Sequence, residues 1–375
     1  MASKALVAFS LVLAVSLAGI SCGKTHAQPS LDSDALMQIV RSYSANKPTA
    51  QAQPVARPAE APQASAAKLE TEEEYEAPIK QAFSQGNFDQ LEKTIKEARE
   101  SKGRILGGVW KVDIFYTAIY QTFLGPQPQE AEWKMHFDSL NQWIKAKPQS
   151  AAARISFAEA YTGYAWVARG DGAANTVSDE GWELFQERNG LAVAALVEAA
   201  QLKEKCPYWY EAMQMVALDQ GWDKSQAREL LEEAVRFEPD YYHFYRQHAH
   251  YLEPRWYGDE GELEAFATEV ADRVGGPKGD ILYFEIASLH SCQCNSEAHA
   301  LDNMSWLRIK DGYSALAQTY GVSTLKRNRF ASMAVKVKDR EAAREAFAGI
   351  GPDWDKDVWV SDQKFANAKN WALSE

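Results

Sequence analysis

The chain has 375 residues, enough for a sizeable hydrophobic core or two domains. Its 52 acidic and 40 basic residues give a formal net charge of −12, which excludes a general attraction to nucleic acid or anionic lipid. Hydrophobic residues at 46% and charged residues at 25% exclude wholesale disorder, and four cysteines exclude a disulfide-packed scaffold.

Residues 1–27 have the pattern of an export signal. Lys4 is the only charged residue before Lys24, and residues 5–21 are almost wholly apolar or small. This apolar stretch is slightly short for a membrane span and suits a signal peptide. The sequence therefore predicts an exported protein of the bacterial periplasm or outer membrane.

Two modes of signal cleavage are open. Cys22 follows small residues, as does the lipid-modified cysteine of bacterial lipoproteins, although Gly19 stands where that motif prefers leucine. The alternative is ordinary cleavage after Ala27, which ends a small-x-small-like site. In either case we expect contact with a membrane only through an N-terminal anchor.

Residues 28–69 are predicted to form a flexible tether with one short helix. Residues 44–68 contain nine alanines and four prolines, so they cannot bury enough surface to order themselves. Residues 31–43 could form the helix, because Leu36, Ile39 and Val40 would share one side.

The folded body, residues 70–375, is predicted to begin with a capping box. Thr71 and Glu74 can satisfy each other's backbone N–H groups at the start of an apolar-periodic helix. Helical periodicity continues from there almost throughout, whereas the strict alternation of strands is missing from the sequence. We therefore expect an all-α fold.

The connections between the predicted helices resemble those of helix-pair repeats. Pro148, Pro207 and Pro239 each precede a helical run, and the last two are separated by close to one tetratricopeptide unit of about 34 residues. Residues 86–91 and 339–347 look like the second helices of repeats, and Ala227, Leu231 and Ala234 occupy packing positions of another. The expected architecture is an irregular tetratricopeptide-like superhelix behind the tether.

A set of short motifs resembles a bacterial domain-of-unknown-function family. The match spans about residues 75–360 and consists of Trp110-Lys111, Phe115-Tyr116, Tyr164-Ala165-Trp166, Ala168-Arg169-Gly170, Gly172-Ala173, Val177, Glu180-Gly181-Trp182, Phe185, Glu187-Arg188, Cys206-Pro207, Trp209-Tyr210, Gln220-Gly221-Trp222, Pro254-Arg255-Trp256-Tyr257-Gly258, Asn328, Phe330-Ala331, Asp339 and Ile350-Gly351. The resemblance implies a tetratricopeptide-like fold and frequent export. It implies no activity and no catalytic residues.

One cluster has the chemistry of a metal site. His290, Cys292, Cys294 and His299 lie within ten residues and offer the ligands that zinc prefers. The spacing is unlike that of a zinc finger, and residues two apart on a helix do not face each other. The alternatives are a disulfide, between Cys292 and Cys294 or with Cys206, and plain reduced cysteines. Apart from this possible zinc, no cofactor is expected.

Three other histidines follow one another closely in an aromatic stretch. Tyrosines and phenylalanines surround His243, His248 and His250. We expect aromatic packing with hydrogen-bonded histidines here rather than a metal site.

A binding surface is predicted around two glycine-containing connections. Arg169, Glu180 and Trp182 flank the first, where glycines permit close approach of a ligand. The alternative is a tight connection in which Arg169 pairs with a carboxylate and Trp182 lies in the core.

The second connection, residues 254–258, and the dipeptide Trp209-Tyr210 contain Trp, Tyr and Arg, the residue types enriched in binding hot spots. These residues are Trp209, Tyr210, Arg255, Trp256 and Tyr257. Aromatic side chains also fill cores, so a structural corner is the alternative.

The usual enzyme signatures, including the nucleophile elbow, the H-E-x-x-H motif and the P-loop, do not occur in the sequence. We therefore expect a non-enzymatic scaffold that binds a protein or peptide. The alternatives are a metal-dependent enzyme centred on residues 290–299 and a structural spacer of the envelope.

Overall fold

The structure, a computed structural model, describes residues 32–45, 69–170, 172–293, 301–352 and 354–374. The signal segment with Cys22 and Ala27, and the Ala/Pro-rich stretch 46–68, lie outside the described residues. The described parts of the chain form seventeen α-helices and no strand. The helices are α1 (Ser33–Ala45), α2 (Glu72–Ser84), α3 (Phe88–Ser101), α4 (Lys111–Gln121), α5 (Glu130–Ala146), α6 (Ala151–Arg169), α7 (Asp179–Gln201), α8 (Tyr208–Asp219), α9 (Lys224–Phe237), α10 (His243–Tyr251), α11 (Glu262–Val274), α12 (Gly276–Gln293), α13 (Trp306–Tyr320), α14 (Thr324–Lys336), α15 (Arg340–Ala348), α16 (Lys356–Trp359) and α17 (Asp362–Leu373).

The helices are arranged in two layers. The even-numbered helices, from α2 to α16, pack one against the next in chain order and form what we call the first layer. Odd-numbered helices cover them, and the most extensive pairs are α6 with α7, α12 with α13 and α11 with α12. The predicted all-α superhelical architecture is thus confirmed. None of the described helices combines the length and apolarity that crossing a membrane requires.

The predicted helix starts are present. The N–H of Glu74 donates to Thr71 Oγ1 at 3.2 Å, and the N–H of Thr71 donates to Glu74 Oε2 at 2.8 Å, which completes the capping box. Asn87 caps α3 and Asp339 caps α15 with their side-chain oxygens. These caps satisfy backbone donors that have no partner within the helix.

Helix α1 is part of the folded body. It packs against α7 and α9, and it buries Leu36, Val40 and Tyr43. The hydroxyl of Tyr43 donates to the carbonyl of Cys206 at 3.2 Å and accepts from the N–H of Cys206 at 2.8 Å. The predicted helix therefore exists, but its assignment to a flexible tether was wrong because its apolar face docks on distant helices.

Residues 102–110, between α3 and α4, form what we call the bridging segment. Arg104 and Trp110 both donate to the carbonyl of Asp240, in the turn before α10, at 2.9 and 3.1 Å. The N–H of Gly107 donates to the carbonyl of Tyr320, at the end of α13, at 3.3 Å. The bridging segment therefore joins the first helices of the body to a turn 130 to 136 positions later and to the end of α13, more than 200 positions later in the chain.

Candidate functional site

Ionisable side chains from successive helices of the first layer, α4 to α14, lie close enough to influence one another electrostatically. The backbone N–H of Leu106 donates to the carbonyl of Glu70 at 2.7 Å and that of Gly107 to the carbonyl of Tyr320 at 3.3 Å, so the segment before α2 lies near the end of α13. The interacting side chains of α4 to α14 form what we call the polar groove, which consists of Asp113, Glu159, Glu211, His243, Arg246, Glu285 and Lys326.

Three of these side chains, which we call the carboxylate–histidine triad, meet at one point. The Nδ1 atom of His243 lies 3.1 Å from Asp113 Oδ1 and 3.5 Å from Glu211 Oε1. The three side chains are 13%, 14% and 17% exposed, respectively, so they are shielded but reachable from the groove. One donor atom from each lies within 4.8 Å of the other two, which is close enough for a shared metal ion.

The surroundings of the triad act strongly on its protonation. Burial raises the pKa values of Asp113 and Glu211 to about 7, although His243 lowers the former and a hydrogen bond from Tyr241 lowers the latter. Burial lowers the pKa of His243 to about 4, so its imidazole is neutral at pH 7. Burial also raises the pKa of Glu159, which is hydrogen-bonded to Tyr208, to about 7.

The part of the polar groove next to the triad contains basic as well as acidic side chains. Lys326 donates to Glu285 in a buried ion pair. Burial lowers the pKa of Lys326 to about 8. The pKa of Glu285 lies below its usual value, because the positive charges of Lys326 and Arg246 lower it by more than burial raises it. Arg246 thus stands between the triad and this ion pair, and no hydrogen-bond partner for its buried Nε is found among the described residues.

A small cavity with a free volume of about 20 Å³ opens beside the triad. It is lined by the ionisable residues Arg104, His243, Arg246 and Glu285, by the aromatic residues Trp110, Tyr242 and Tyr320, and by Gly107, Gly108, Val109, Ile281 and Leu316. The cavity therefore combines an aromatic and apolar lining with charged groups, and because it has room for about one water molecule, a larger ligand would bind at its mouth.

The predicted binding residues Arg169, Trp182 and Trp256 come together elsewhere, in a packed corner. The guanidinium carbon of Arg169 lies 5.0 Å from the ring centre of Trp166, 5.6 Å from that of Trp182 and 5.9 Å from that of Trp256. Its Nη1 donates to the carbonyls of Gly170 and Gly172, both at 3.0 Å. The aromatic rings and backbone carbonyls are thus already occupied by a residue of the chain itself.

Other residues predicted for this surface contribute to the same corner or lie outside it. Arg255 is exposed and donates to Glu253 at 2.5 Å, and its guanidinium carbon lies 5.9 Å from the centre of Trp256. Tyr257 donates to the carbonyl of Leu218 at 2.9 Å. Glu180 is exposed in the first turn of α7.

The prediction of Trp209 and Tyr210 as surface residues was wrong. Both are 0% exposed, and their rings pack around Tyr43 of α1. The indole of Trp209 donates to the carbonyl of Leu196 at 2.9 Å. These aromatic side chains fill the core because α1 covers them.

The aromatic interpretation of the three histidines holds for two of them. His248 lies against Tyr251 and Phe266, and His250 hydrogen-bonds Glu253 and lies against Trp256. For His243 the interpretation was incomplete, because sequence neighbours indicate the aromatic ring of Tyr241 but not the two carboxylates.

The predicted metal cluster at residues 290–299 is only partly covered by the structure. His290 is buried in α12, while Cys294, His299 and the side chain of Cys292 lie outside the described residues. Cys206 is a free, buried thiol, so the proposed disulfide to it is not formed. Zinc at His290, Cys292, Cys294 and His299 therefore stays a prediction.

No protein-family model matches the chain, and no curated protein or solved structure matches it significantly. The resemblance of its motifs to the exported helical-repeat family stays a prediction. The polar groove must accordingly be interpreted from its own geometry.

Proposed function

We propose that this chain is an exported binding protein, held at the cell envelope by its N-terminal segment, whose cavity beside the carboxylate–histidine triad takes a peptide at its mouth. The apolar side chain of the peptide would contact Tyr320 at the mouth of the cavity, because the guanidinium carbon of Arg104 already lies 4.6 Å from the ring centre of Trp110 and 5.3 Å from that of Tyr320. Its carboxylate, from an acidic side chain or the C-terminus, would pair with Arg246.

The observation that carries the proposal is that Arg246 lines the cavity while its Nε has no hydrogen-bond partner among the described residues. A buried guanidinium nitrogen without a hydrogen-bond partner is costly, and a carboxylate would supply the acceptor. The aromatic lining would exclude water from this ion pair and so strengthen it. A two-layer helical fold with a curved ionisable surface supports a binding role, since such surfaces serve helical-repeat proteins as docking sites.

The proposal is tested by selecting peptides from a displayed random library on the purified full chain. We expect selected peptides to combine an acidic group with an aromatic or aliphatic side chain. Arg246→Gln should weaken the binding of a selected peptide about tenfold or more, measured by fluorescence anisotropy, because a charge-assisted hydrogen bond is worth about 1.5–3 kcal/mol.

Arg169→Gln provides the matched control, since Arg169 lies in the packed corner and not in the cavity. Its affinity should equal that of the wild-type chain. If Arg169→Gln weakened binding and Arg246→Gln did not, the binding surface would be the packed corner and the proposed cavity would be wrong. Circular dichroism of both variants checks that the fold is retained.

A further inference from the structure

We infer that the carboxylate–histidine triad of Asp113, Glu211 and His243 binds a divalent first-row transition-metal ion. The three side chains come from three helices of the first layer, α4, α8 and α10. Two carboxylates and one imidazole are a donor set that suits zinc, manganese, iron and their neighbours in the first row. The site is separate from the sequence cluster at residues 290–299.

The spacing of the donor atoms fits a common metal centre. With metal–ligand bonds of about 2.0–2.1 Å, two ligands of a tetrahedral zinc ion lie about 3.3 Å apart. The two measured separations, 3.1 Å from His243 Nδ1 to Asp113 Oδ1 and 3.5 Å to Glu211 Oε1, lie on either side of this value.

Hydrogen bonding between a neutral imidazole and two ionised carboxylates explains only one of the two approaches to Nδ1. A neutral imidazole carries a single N–H, and Nδ1 can donate it well to only one acceptor, yet two carboxylates approach Nδ1. Two carboxylates held this close also repel each other. A dication would neutralise both and would accept the imidazole lone pair.

The surroundings provide the orienting contact and the access that a metal site needs. The hydroxyl of Tyr241 donates to Glu211 Oε2 at 2.9 Å, which leaves Oε1 facing His243. Such contacts to ligands fix their direction and tune affinity. His243 also lines the cavity, so three protein ligands leave the remaining coordination positions to water or to an entering ligand.

The test uses the full chain carrying Cys292→Ser and Cys294→Ser, so that thiolates at the other candidate cluster cannot bind metal. The protein is stripped with a chelator, desalted and titrated with Co²⁺ by absorption spectroscopy, and then with Zn²⁺ in competition with a chromophoric chelator. We expect one ion per chain, with Co²⁺ bands of a nitrogen–oxygen site and no thiolate charge-transfer band.

Asp113→Asn and Glu211→Gln change charge with almost no change in shape, and each should weaken Zn²⁺ binding about tenfold or more. Glu159→Gln is the matched control, because Glu159 lies in the same groove but outside the triad, and its affinity should be unchanged. As a second measurement, the same Zn²⁺ concentration should raise the melting temperature of the control more than that of the two triad variants.

The inference is overturned if the double serine chain takes up no metal, or if Asp113→Asn and Glu211→Gln bind Zn²⁺ as tightly as the Glu159→Gln control. It stands apart from the proposed peptide binding, because the titration contains no peptide. Failure of one proposal therefore leaves the other open to its own test.

Discussion

Burial in the helix layers changes the protonation of individual side chains far from the groove as well as within it. His248 is 4% exposed and lies between the rings of Tyr251 and Phe266. Burial lowers its pKa to about 3, with a smaller lowering by Arg228 and an opposing effect of Glu269. The imidazole is therefore neutral in the folded protein across the physiological range.

This makes His248 a source of acid sensitivity. Its folded-state pKa lies below the unfolded value near 6.5, so the unfolded chain binds more protons once the pH falls below about 6.5. Between pH 7 and pH 5 this one residue should remove about 2 kcal/mol from the free energy of unfolding. His248→Phe keeps the ring packing and should lose that part of the pH dependence, as measured by urea unfolding at both pH values. An identical pH dependence in both proteins would show that His248 is accessible to protons in the folded state.

The residue-level predictions from sequence succeeded where chemistry is local and failed where it depends on packing. The Thr71 capping box follows from residue types three positions apart. In the sequence, Trp209 and Trp256 look equally suited to a binding surface. They differ in exposure only because α1 covers Trp209 in the structure. The triad carboxylates could not be singled out, because they are two among 52 acidic residues and lie far apart in the chain.

At the scale of elements, helix boundaries were predictable and helix docking was not. Prolines and capping residues mark the starts of α6, α8, α10 and α15 in the sequence. The apolar side of α1 indicates that it covers something, but its spacing cannot indicate which helices. In the structure its main contacts are with α9, almost 200 positions away, and part of its attachment is made by one hydroxyl group.

Removing that hydroxyl should measure how firmly α1 is docked. Tyr43→Phe leaves the stacked ring on Trp209 but deprives the buried N–H of Cys206 of its partner, while the carbonyl of Cys206 keeps the N–H of Trp209 as a donor. We expect a loss of about 2 kcal/mol in the free energy of unfolding, measured by chemical denaturation, since unsatisfied buried groups cost about 1–3 kcal/mol.

A control within the same helix is Arg41→Gln, which breaks an exposed ion pair with Glu229. Its effect should stay below about 1 kcal/mol, because exposed ion pairs contribute little. If Tyr43→Phe cost no more than Arg41→Gln, the docking of α1 would not depend on the Cys206 contact.

At the scale of the whole molecule, the chain departs from a simple stack of helix pairs. In a regular solenoid each repeat contacts only its neighbours. Here the bridging segment joins the N-terminal helices to the turn before α10 and to the end of α13. This closure also holds the aromatic ring of Trp110 in the lining of the cavity. No local sequence pattern indicates it, because it depends on backbone contacts between segments that are remote in the chain.

Gly108 is the position at which this closure can be tested. Its φ of +79° disfavours other residues, and an added Cβ would lie 2.8 Å from Cδ2 of Tyr320. Gly108→Ala should therefore lower the free energy of unfolding by about 1–3 kcal/mol and increase hydrogen exchange in α13 and α14. Gly190→Ala, inside α7 with open space at the Cβ position, should instead raise stability by up to about 1 kcal/mol. If Gly108→Ala increased exchange only in α3 and α4, the two ends of the first layer would unfold independently and the bridging segment would be a local loop.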